Sequence, residues 1–146
     1  MPIETKRSSG VGIIYNGLIL LAERAREVNG IPCAMGGYWS IFAGAIEEGE
    51  NPMSCAVREL YEESEIKIGI ENLVYAGEIQ GDSPMSILHI YFSHFNHMPT
   101  PILNCEHTSY GWFSIKDIDA FPDPIDENIV DLLKIHFEKH KQRGIA

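Results

Sequence analysis

Acidic residues concentrate in one short stretch of this chain. Residues 47 to 65 hold seven of its 21 carboxylates against a single basic residue, Arg58; the seven are Glu47, Glu48, Glu50, Glu59, Glu62, Glu63 and Glu65. Carboxylate oxygens are ligands that suit Mg²⁺ or Mn²⁺, and Mg²⁺ commonly takes substrate phosphate oxygens as further ligands. The stretch is therefore a candidate site for metal-dependent phosphate chemistry.

A helix is predicted to carry part of this cluster, from Pro52 to about Ser64. Asn51 is suited to cap its first turn, and proline is tolerated at the first helical position because its missing N–H would have no partner there. One side of the helix is apolar and should pack on a sheet; its members are Met53, Ala56, Val57 and Leu60. The acidic stripe is then expected on the outer face.

The spacing of Glu59, Glu62 and Glu63 places three carboxylates within an arc of about 100° on such a helix. Like charges at this spacing destabilise an isolated helix, a cost that a divalent cation would reverse. The stripe alone is nevertheless more typical of a solvated helix face. A metal site needs support from the surrounding residues.

The elements around the helix read as one mixed α/β domain without repeats or linkers over residues 1 to 146. An Asn-Gly pair at 16 and 17 predicts a hairpin between two apolar runs, because both positions favour positive φ. The other expected elements are a loop from Arg26 to Tyr38, strands at 39 to 42, 73 to 80, 87 to 95 and 109 to 114, a turn at 81 to 84, a helix from about Asp126 to His140 and a frayed tail over about 140 to 146.

Composition narrows the functional classes. A net charge of −10 disfavours nucleic acid and anionic membranes as partners, since both attract clustered Lys and Arg. The first ten residues lack the apolar core of a secretory signal, and no run of 18 apolar residues occurs, so we expect a cytoplasmic protein. Cys33, Cys55 and Cys105 fit neither a disulfide framework nor a zinc site. A homodimer is left open.

The wider segment GAIEEGENPMSCAVRELYEESEI resembles the Nudix box, in which Gly, five residues, Glu and seven residues precede Arg-Glu, an apolar residue, any residue, Glu-Glu, any residue, Gly and an apolar residue. Eight of its nine defined positions match, at Gly44, Glu50, Arg58, Glu59, Leu60, Glu62, Glu63 and Ile66. The resemblance implies the family's α/β/α sandwich with a mixed sheet. It also implies hydrolysis of a phosphoanhydride bond with Mg²⁺ or Mn²⁺ as cofactor.

Two positions depart from the usual pattern. Glu65 stands where the family has the glycine that ends the helix in a left-handed conformation, so a cost of about 1 kcal/mol or a different helix end is expected. That glycine is not a metal ligand in the family, which makes altered stability the expected consequence. Ala43 precedes Gly44 in place of the commoner glycine, and it still offers a backbone carbonyl.

Carried over position by position, the resemblance implies that Glu59, Glu62, Glu63 and the carbonyl of Ala43 hold the metal. Arg58 would orient carboxylates by ion pairing, with Glu47 or Glu59 as the expected partner. The general base is supplied by a box glutamate in some members and by a downstream loop glutamate in others, so Glu59 and Glu106 both remain candidates. His94, His97 and His107 are interpreted as ordinary surface or strand residues.

The substrate is less constrained by the sequence than the phosphate chemistry. Arg24 and Arg26 are candidates for phosphate contacts, and Trp39 and Phe42 for stacking on a base. Phe42-Ala43-Gly44 and Ser83-Pro84 resemble features of ADP-ribose and ADP-sugar pyrophosphatases, whereas the short chain favours nucleoside triphosphate or dinucleoside polyphosphate hydrolases. The prediction is therefore a nucleoside diphosphate linked to another moiety.

Two rival interpretations belong to other functional classes. A Nudix-fold sensor would bind a nucleotide without cleaving it, although such proteins usually lose box carboxylates that are all present here. A structural α/β protein with a coincidental acidic helix would require eight chance matches. A nucleotide panel assayed with Mg²⁺ discriminates among these interpretations.

Overall fold

A computed structural model of the chain describes residues 6–80 and 86–142, with side chains as far as residue 139. It begins with the predicted hairpin. Strands β1 (Lys6–Tyr15) and β2 (Leu18–Arg24) are joined by Asn16 and Gly17, whose φ angles are 47° and 78°. Both turn residues have the positive φ that a two-residue hairpin requires, so this prediction is confirmed.

The strand predicted at residues 39 to 42 is instead two shorter strands, β5 (Trp39–Ser40) and β6 (Phe42–Ala45). The hairpin strands pair with each other only close to their turn; beyond it, β6 pairs with β1 and β5 pairs with β2. The chain changes partner at Ile41, because β1 and β2 separate and each offers an unpaired edge. This gap places β6, which shortly precedes the glutamate-rich stretch at residues 47 to 65, against β1.

The rest of the sheet follows from β7 (Val74–Gln80), β8 (Ser86–Phe95) and β9 (His107–Ser114), close to the predicted bounds. The central order is β5-β2-β1-β8-β7, with β6 on β1 and β9 on β2. Strands β1 and β8 are parallel and the other pairs antiparallel, so the sheet is mixed. The loop predicted at 26 to 38 contains a small ribbon, β3 (Glu27–Val28) and β4 (Ile31–Pro32). The turn predicted at 81 to 84, including Ser83-Pro84, lies outside the described residues.

Helices α1 (Pro52–Ser64) and α2 (Glu127–Gln142) cover opposite faces of the sheet, and short 3-10 helices occupy Ile70–Asn72 and Ile118–Ala120. Neighbouring strand residues point to opposite faces: Ile13 joins the core under α1, and Ile14 joins the core under α2. The predicted α/β/α sandwich with a mixed sheet is confirmed. Residues 140–142, expected in a frayed tail, belong to α2, and 143–146 lie outside the described residues.

The first helix has the predicted bounds and the predicted cap. The Asn51 side chain accepts a hydrogen bond from the Ser54 N–H at 2.9 Å. At the other end Glu65 adopts the left-handed conformation expected of glycine, with φ 59° and ψ 14°, and its N–H donates to the Tyr61 carbonyl. The helix therefore ends as a glycine-capped helix would, with a side chain in the strained position.

No helix in the described part of the chain is long and apolar enough to cross a membrane.

Candidate active site

The carboxylate of Glu59 rests directly against the backbone of Gly44. A Cβ at residue 44 would lie 2.1 Å from Cδ of Glu59, far inside any permitted contact. Glycine is thus needed here for close approach of a side chain, since φ at this residue is not positive. Strand β6 and helix α1 together create a seat for one carboxylate beside the Ala43 and Gly44 backbone.

Glu63 lies on the inward side of α1, contrary to the prediction of a uniformly outer acidic stripe. Its side chain is 1% exposed, and Oε2 has no hydrogen-bond partner among the described groups. Burial raises the pKa of Glu63 strongly, and a hydrogen bond with Glu59 and the charge of Glu59 raise it further. Leu60, three residues before Glu63, and Ser64, the next residue, are also buried. This side of α1 therefore faces the core and includes Glu63.

The predicted ion pairing of Arg58 with Glu59 or Glu47 is confirmed, and the arginine also binds Glu50, which was not predicted as a partner. Its guanidinium donates to the two Glu50 oxygens at 2.8 and 2.9 Å, and these hydrogen bonds lower the pKa of Glu50 to about 2. Glu59 and Glu62 share Nη1 at 2.9 and 3.0 Å, and Glu47 lies 3.6 Å away. Arg58 also donates to the Ala45 carbonyl at 3.0 Å, which ties α1 to β6.

Glu106 reaches the same region from a loop that hydrogen bonds hold to α1 and to the end of β2. Its N–H donates to the Asn104 side chain, whose amide donates to the Glu62 carbonyl on α1. Its own carbonyl accepts a hydrogen bond from the Ala25 N–H at 2.8 Å. Asn104 was not singled out from the sequence; an Asn two residues before a candidate Glu is the signal that could have suggested such a turn.

A cleft of about 430 Å³ contains Glu59 and Glu106 from this region; its lining residues are Arg24, Ala25, Val28, Cys33, Ala34, Ala43, Gly44, Ala45, Glu59, Cys105, Glu106 and His107. Arg24 is held in place by a hydrogen bond from Nε to the Ala34 carbonyl at 3.1 Å. Burial raises the pKa of Glu106, the charge of Glu59 raises it further, and the Arg24 charge opposes both. The cleft thus contains two carboxylates, Glu59 and Glu106, together with the arginine Arg24.

His107, interpreted from the sequence as an ordinary residue, is buried next to Glu63. Its Nδ1 lies 3.7 Å from Oε1 of Glu63, and its side chain is 1% exposed. The His107 ring packs edge to face with the ring of Phe42, and the two ring centroids are 5.1 Å apart. Burial lowers the pKa of His107 to about 4, so its ring is neutral near pH 7. The position of His107 next to Glu106 at the start of a strand could have suggested a role in the site. The sequence does not show that Glu63 lies beside it, because neighbouring strand residues face opposite sides.

A larger cavity of about 740 Å³ lies elsewhere, between α2 and the loop around Tyr38. Its charged lining includes Asp119, Asp123, Asp126, Glu127, Asp131 and Lys134, and none of the box glutamates. Size alone is a poor guide here, because the smaller cleft has Glu59 on its glycine seat and His107, which lies beside the buried Glu63. We therefore place the candidate active site at the smaller cleft.

A family model described as NUDIX domain matches residues 5–133. The chain belongs to the Nudix family. The Nudix segment recognised in the sequence supplies β6, the connecting loop and α1, so the geometry above is the family's box in three dimensions. The match also extends well beyond the box, from the first strand into the last helix.

Individual similarities are more distant. An NAD-capped RNA hydrolase NudC of Enterobacter sp. (strain 638) is 30% identical over 114 residues, 78% of this chain and 41% of that protein. The chain thus spans about two fifths of such a relative. The MutT protein from Methanosarcina mazei Go1 has a TM-score of 0.76 at 18% identity, covering 97% of this chain and 99% of its own. The Nudix domain of Shewanella oneidensis NrtR, complexed with ADP ribose, has a TM-score of 0.72 at 13% identity, covering 94% and 90%. These two structures support the fold alone.

The Nudix carboxylates fit a hard divalent cation in donor type and placement. The seat on Gly44 and the unpaired Glu63 oxygen provide oxygen donors beside a backbone segment. Within residues 6–80 and 86–142, no three acidic, His or Cys side chains already converge as a metal cluster. Arg58 holds both Glu59 and Glu62 by ion pairs. A cation would compete with this guanidinium for both carboxylates.

Three of the predicted substrate contacts are not in the cleft of this Nudix domain. Arg26 is exposed, and its guanidinium lies beside Gly37. Phe42 is 1% exposed in the core under α1, so it cannot stack on a base. Trp39 packs against Phe113 and Phe121 on the α2 side, with centroid distances of 5.5 and 5.8 Å. The stacking predictions for Trp39 and Phe42 were wrong because both rings complete cores, whereas the phosphate contact of Arg26 stays a prediction; Arg24 does line the cleft.

Proposed function

We propose that this chain is a Mg²⁺- or Mn²⁺-dependent hydrolase that cleaves a phosphoanhydride bond in a nucleoside diphosphate linked to another moiety. The observation that carries the proposal is the buried carboxyl of Glu63, whose Oε2 has no described hydrogen-bond partner, next to Glu59 on its glycine seat. A buried carboxylate without a partner is costly. A phosphate-bound cation would satisfy it.

Glu59, Glu62, Glu63 and the Ala43 carbonyl would hold the metal. When bound, the metal polarises the diphosphate and lowers the pKa of a water that attacks phosphorus. Arg58 keeps Glu59 and Glu62 close to the seat before the cation binds, and its bonds to Glu50 and the Ala45 carbonyl fix the guanidinium itself. The arginine thus positions carboxylates and does not contact substrate.

Glu106 is the better of the two candidates for the general base. Burial and the charge of Glu59 raise the pKa of Glu106 against the opposing charge of Arg24, which makes it a stronger base than an ordinary carboxylate. Its side chain is exposed at the cleft, where a water molecule can reach it. Glu59 is held by Arg58 at 2.9 Å and is better suited to metal binding.

Arg24 is proposed to contact a substrate phosphate in the cleft that Glu106 also lines. Its Nε is anchored on the Ala34 carbonyl, which leaves the outer guanidinium nitrogens for an anion. The ordered guanidinium costs less entropy on binding than a mobile side chain would. A stacking residue is not assigned, since Trp39 and Phe42 belong to cores.

A small dinucleotide or nucleotide sugar is the preferred substrate class. The names of the similar proteins mention NAD-capped RNA and ADP ribose, and both contain a nucleoside diphosphate joined to a second group. The net charge of −10 disfavours a long polyanion, so the free dinucleotide should bind better than a capped RNA. Binding of such a nucleotide without cleavage is the alternative function.

The decisive experiment is hydrolysis of a nucleotide panel with Mg²⁺, comprising dNTPs, ADP-ribose, NADH, diadenosine polyphosphates, nucleotide sugars and capped RNA. We expect at least one to be cleaved. Glu63→Gln should lower the rate by roughly a hundredfold or more. Glu48→Gln is the matched control, because Glu48 is an exposed carboxylate of the same loop and helix segment.

Two outcomes would decide against parts of the proposal. Full activity in Glu63→Gln would contradict the metal assignment, and nucleotide binding without any turnover would favour the sensor. Glu106→Gln with unchanged turnover would return the role of base to Glu59. Hydrolysis in ¹⁸O-labelled water then identifies the phosphorus that is attacked.

A further inference from the structure

We propose that His107 is a positioning residue that holds one carboxylate oxygen of Glu63, so that the other oxygen faces the metal. The inference rests on the proposed function, because it assigns Glu63 to a metal. It adds a residue outside the box to the machinery of the site. The geometry of three groups leads to it: the imidazole, the buried carboxyl and the aromatic ring of Phe42.

Strand geometry places Glu106 and His107 on different sides of the chain. Glu106 is exposed and lines the cleft, whereas His107 is buried as β9 begins. The pairing of Arg24 with His107 follows an irregularity between Glu23 and Arg24 in β2, a feature that re-aims side chains. Two consecutive residues therefore line the cleft, one exposed and one buried.

The His107 ring lies next to the Glu63 carboxyl, and both side chains carry buried polar atoms without a described partner. Neither ring nitrogen has a hydrogen-bond partner among the groups that the structure describes, and neither has Oε2 of Glu63. The nearest atoms of the two side chains, Nδ1 and Oε1, are 3.7 Å apart. This distance exceeds a hydrogen bond by roughly 0.5 to 1 Å, a gap that a small side-chain movement closes.

A purely structural role explains the arrangement poorly. Both side chains are 1% exposed, and unpaired polar groups at such sites are destabilising. An apolar residue would fill the space against Phe42 without any unsatisfied nitrogen. The ring contact with Phe42, at an interplanar angle of 76°, instead fixes the plane of the imidazole and so the direction of Nδ1.

An N–H on Nδ1 would donate to Oε1 of Glu63, and Oε2 would remain available for the cation. Groups that orient a metal ligand in this way typically change metal affinity by 10- to 100-fold when they are removed. His107 touches no substrate in this arrangement and acts through Glu63. The expected defect is therefore in metal binding.

The first test is Mn²⁺ affinity of the purified chain without nucleotide, measured by electron paramagnetic resonance. His107→Phe should weaken binding by about 10-fold or more, because it fills the space and removes the donor. His107→Asn should retain most of the affinity, since its amide nitrogen takes the place of Nδ1. His136→Phe, which changes a buried histidine in the other core, should leave the affinity unchanged.

Unchanged Mn²⁺ affinity in His107→Phe would overturn the inference, and so would equal weakening in His107→Asn. Glu63→Gln separates this failure from failure of the proposed function. If Glu63→Gln abolishes Mn²⁺ binding and the His107 variants do not weaken it, only the positioning role fails. If the wild-type chain binds no Mn²⁺, the metal assignment and the inference both fail.

The second test uses the wild-type chain and does not depend on how the variants fold. Nitrogen-15 spectra of the histidine rings report which nitrogen carries the proton. We expect a proton on Nδ1 of His107 and a change of its signals on addition of Mg²⁺. A proton on Nε2, or signals that Mg²⁺ leaves unaltered, would overturn the inference.

Discussion

At the scale of single residues, the site depends on what is missing as much as on what is present. Gly44 lacks the methyl group that would occupy the place of the Glu59 carboxylate. Glu63 lacks a described partner for Oε2, and His107 lacks one for its ring nitrogens. The missing methyl group leaves space for the Glu59 carboxylate. The unpaired polar atoms favour a ligand that would bind to them.

Gly44→Ala should displace Glu59 and lower turnover with Mg²⁺ by roughly a hundredfold, as expected when a metal ligand is lost. The physical reason is the 2.1 Å approach of a new Cβ to Cδ of Glu59. Steady-state kinetics measure the effect.

Gly17→Ala is the control for replacing a glycine, because Gly17 has open space and a φ of 78° in the hairpin turn, which does not line the cleft. It should cost about 1 kcal/mol of stability and leave turnover unaffected. Normal turnover in Gly44→Ala would show that Glu59 does not need its seat.

The low pKa of His107, about 4, predicts acid destabilisation of the metal-free protein. The folded-state pKa lies below the unfolded value of about 6.5, so this stability is present above pH 6.5 and is lost as pH falls toward 4. We expect a loss of about 2 kcal/mol between pH 7 and 5 from this residue. Urea denaturation of the wild type and His107→Asn at both pH values measures it.

Glu63 acts in the opposite sense, because its raised pKa favours the protonated folded state as pH falls. The difference between wild type and His107→Asn, and not the absolute slope, is therefore the informative quantity. An identical pH dependence in the two proteins would contradict the burial of a neutral His107.

At the scale of elements, α1 carries the site and is fixed at three places. Asn51 caps its first turn, Arg58 ties its middle to β6 and the preceding loop, and Glu65 ends it. The Cys55 thiol contacts the Gly44 and Ala45 carbonyls at 3.5 Å, and burial raises its pKa to about 12, so it remains a neutral packing group. These local contacts set the position of the carboxylates.

Glu50→Gln should lower the free energy of unfolding by about 1 to 3 kcal/mol, because it weakens the paired hydrogen bonds to Arg58. Glu47→Gln should change it by less than about 1 kcal/mol, since Glu47 is 69% exposed and lies 3.6 Å from the guanidinium. Urea denaturation of both variants at pH 7 provides the comparison. Equal effects would mean that the loop is not fixed through Glu50.

Glu65→Gly should stabilise the chain by about 1 kcal/mol. The backbone at this residue has φ 59°, which glycine adopts without the steric cost of a Cβ. Thermal denaturation measures the effect, and Glu65→Ala should not reproduce it because alanine keeps the Cβ. A lower stability in Glu65→Gly would indicate that the glutamate side chain contributes contacts of its own.

At the scale of the whole molecule, the separation of β1 and β2 organises the cleft. Strands β5 and β6 pair with β2 and β1 in this gap, and β6 places Gly44 beside α1. Strand β9 lies on the other side of β2 and contributes His107, preceded by Glu106. The site thus joins residues far apart in the chain, with a total charge that favours cations.

Mg²⁺ should raise the melting temperature of the chain. At a concentration of about 100 times its Kd, a ligand bound only by the folded state stabilises it by about 2.7 kcal/mol, which corresponds to roughly 5 to 10 °C here. Glu63→Gln should abolish most of the shift. NaCl at matched ionic strength is the control for simple screening of the net charge of −10, and an equal shift with NaCl would contradict a specific site.

The sequence by itself determined the parts that short-range chemistry controls. Asn16-Gly17 set the hairpin, Asn51 and Pro52 set the start of α1, and the box spacing brought Glu59, Glu62 and Glu63 to one helix segment. These predictions needed only turn preferences, caps and helical periodicity. The family resemblance supplied the sandwich and the expected chemistry.

The tertiary structure decided which way the side chains face. It buried Glu63, placed His107 behind it, paired Arg58 with Glu50 and removed Trp39 and Phe42 from the substrate contacts. None of this follows from local spacing, because strand residues alternate between faces and a shift of one position exchanges core for cleft. The partner change at Ile41 fixed that register, and only the packed sheet contains it.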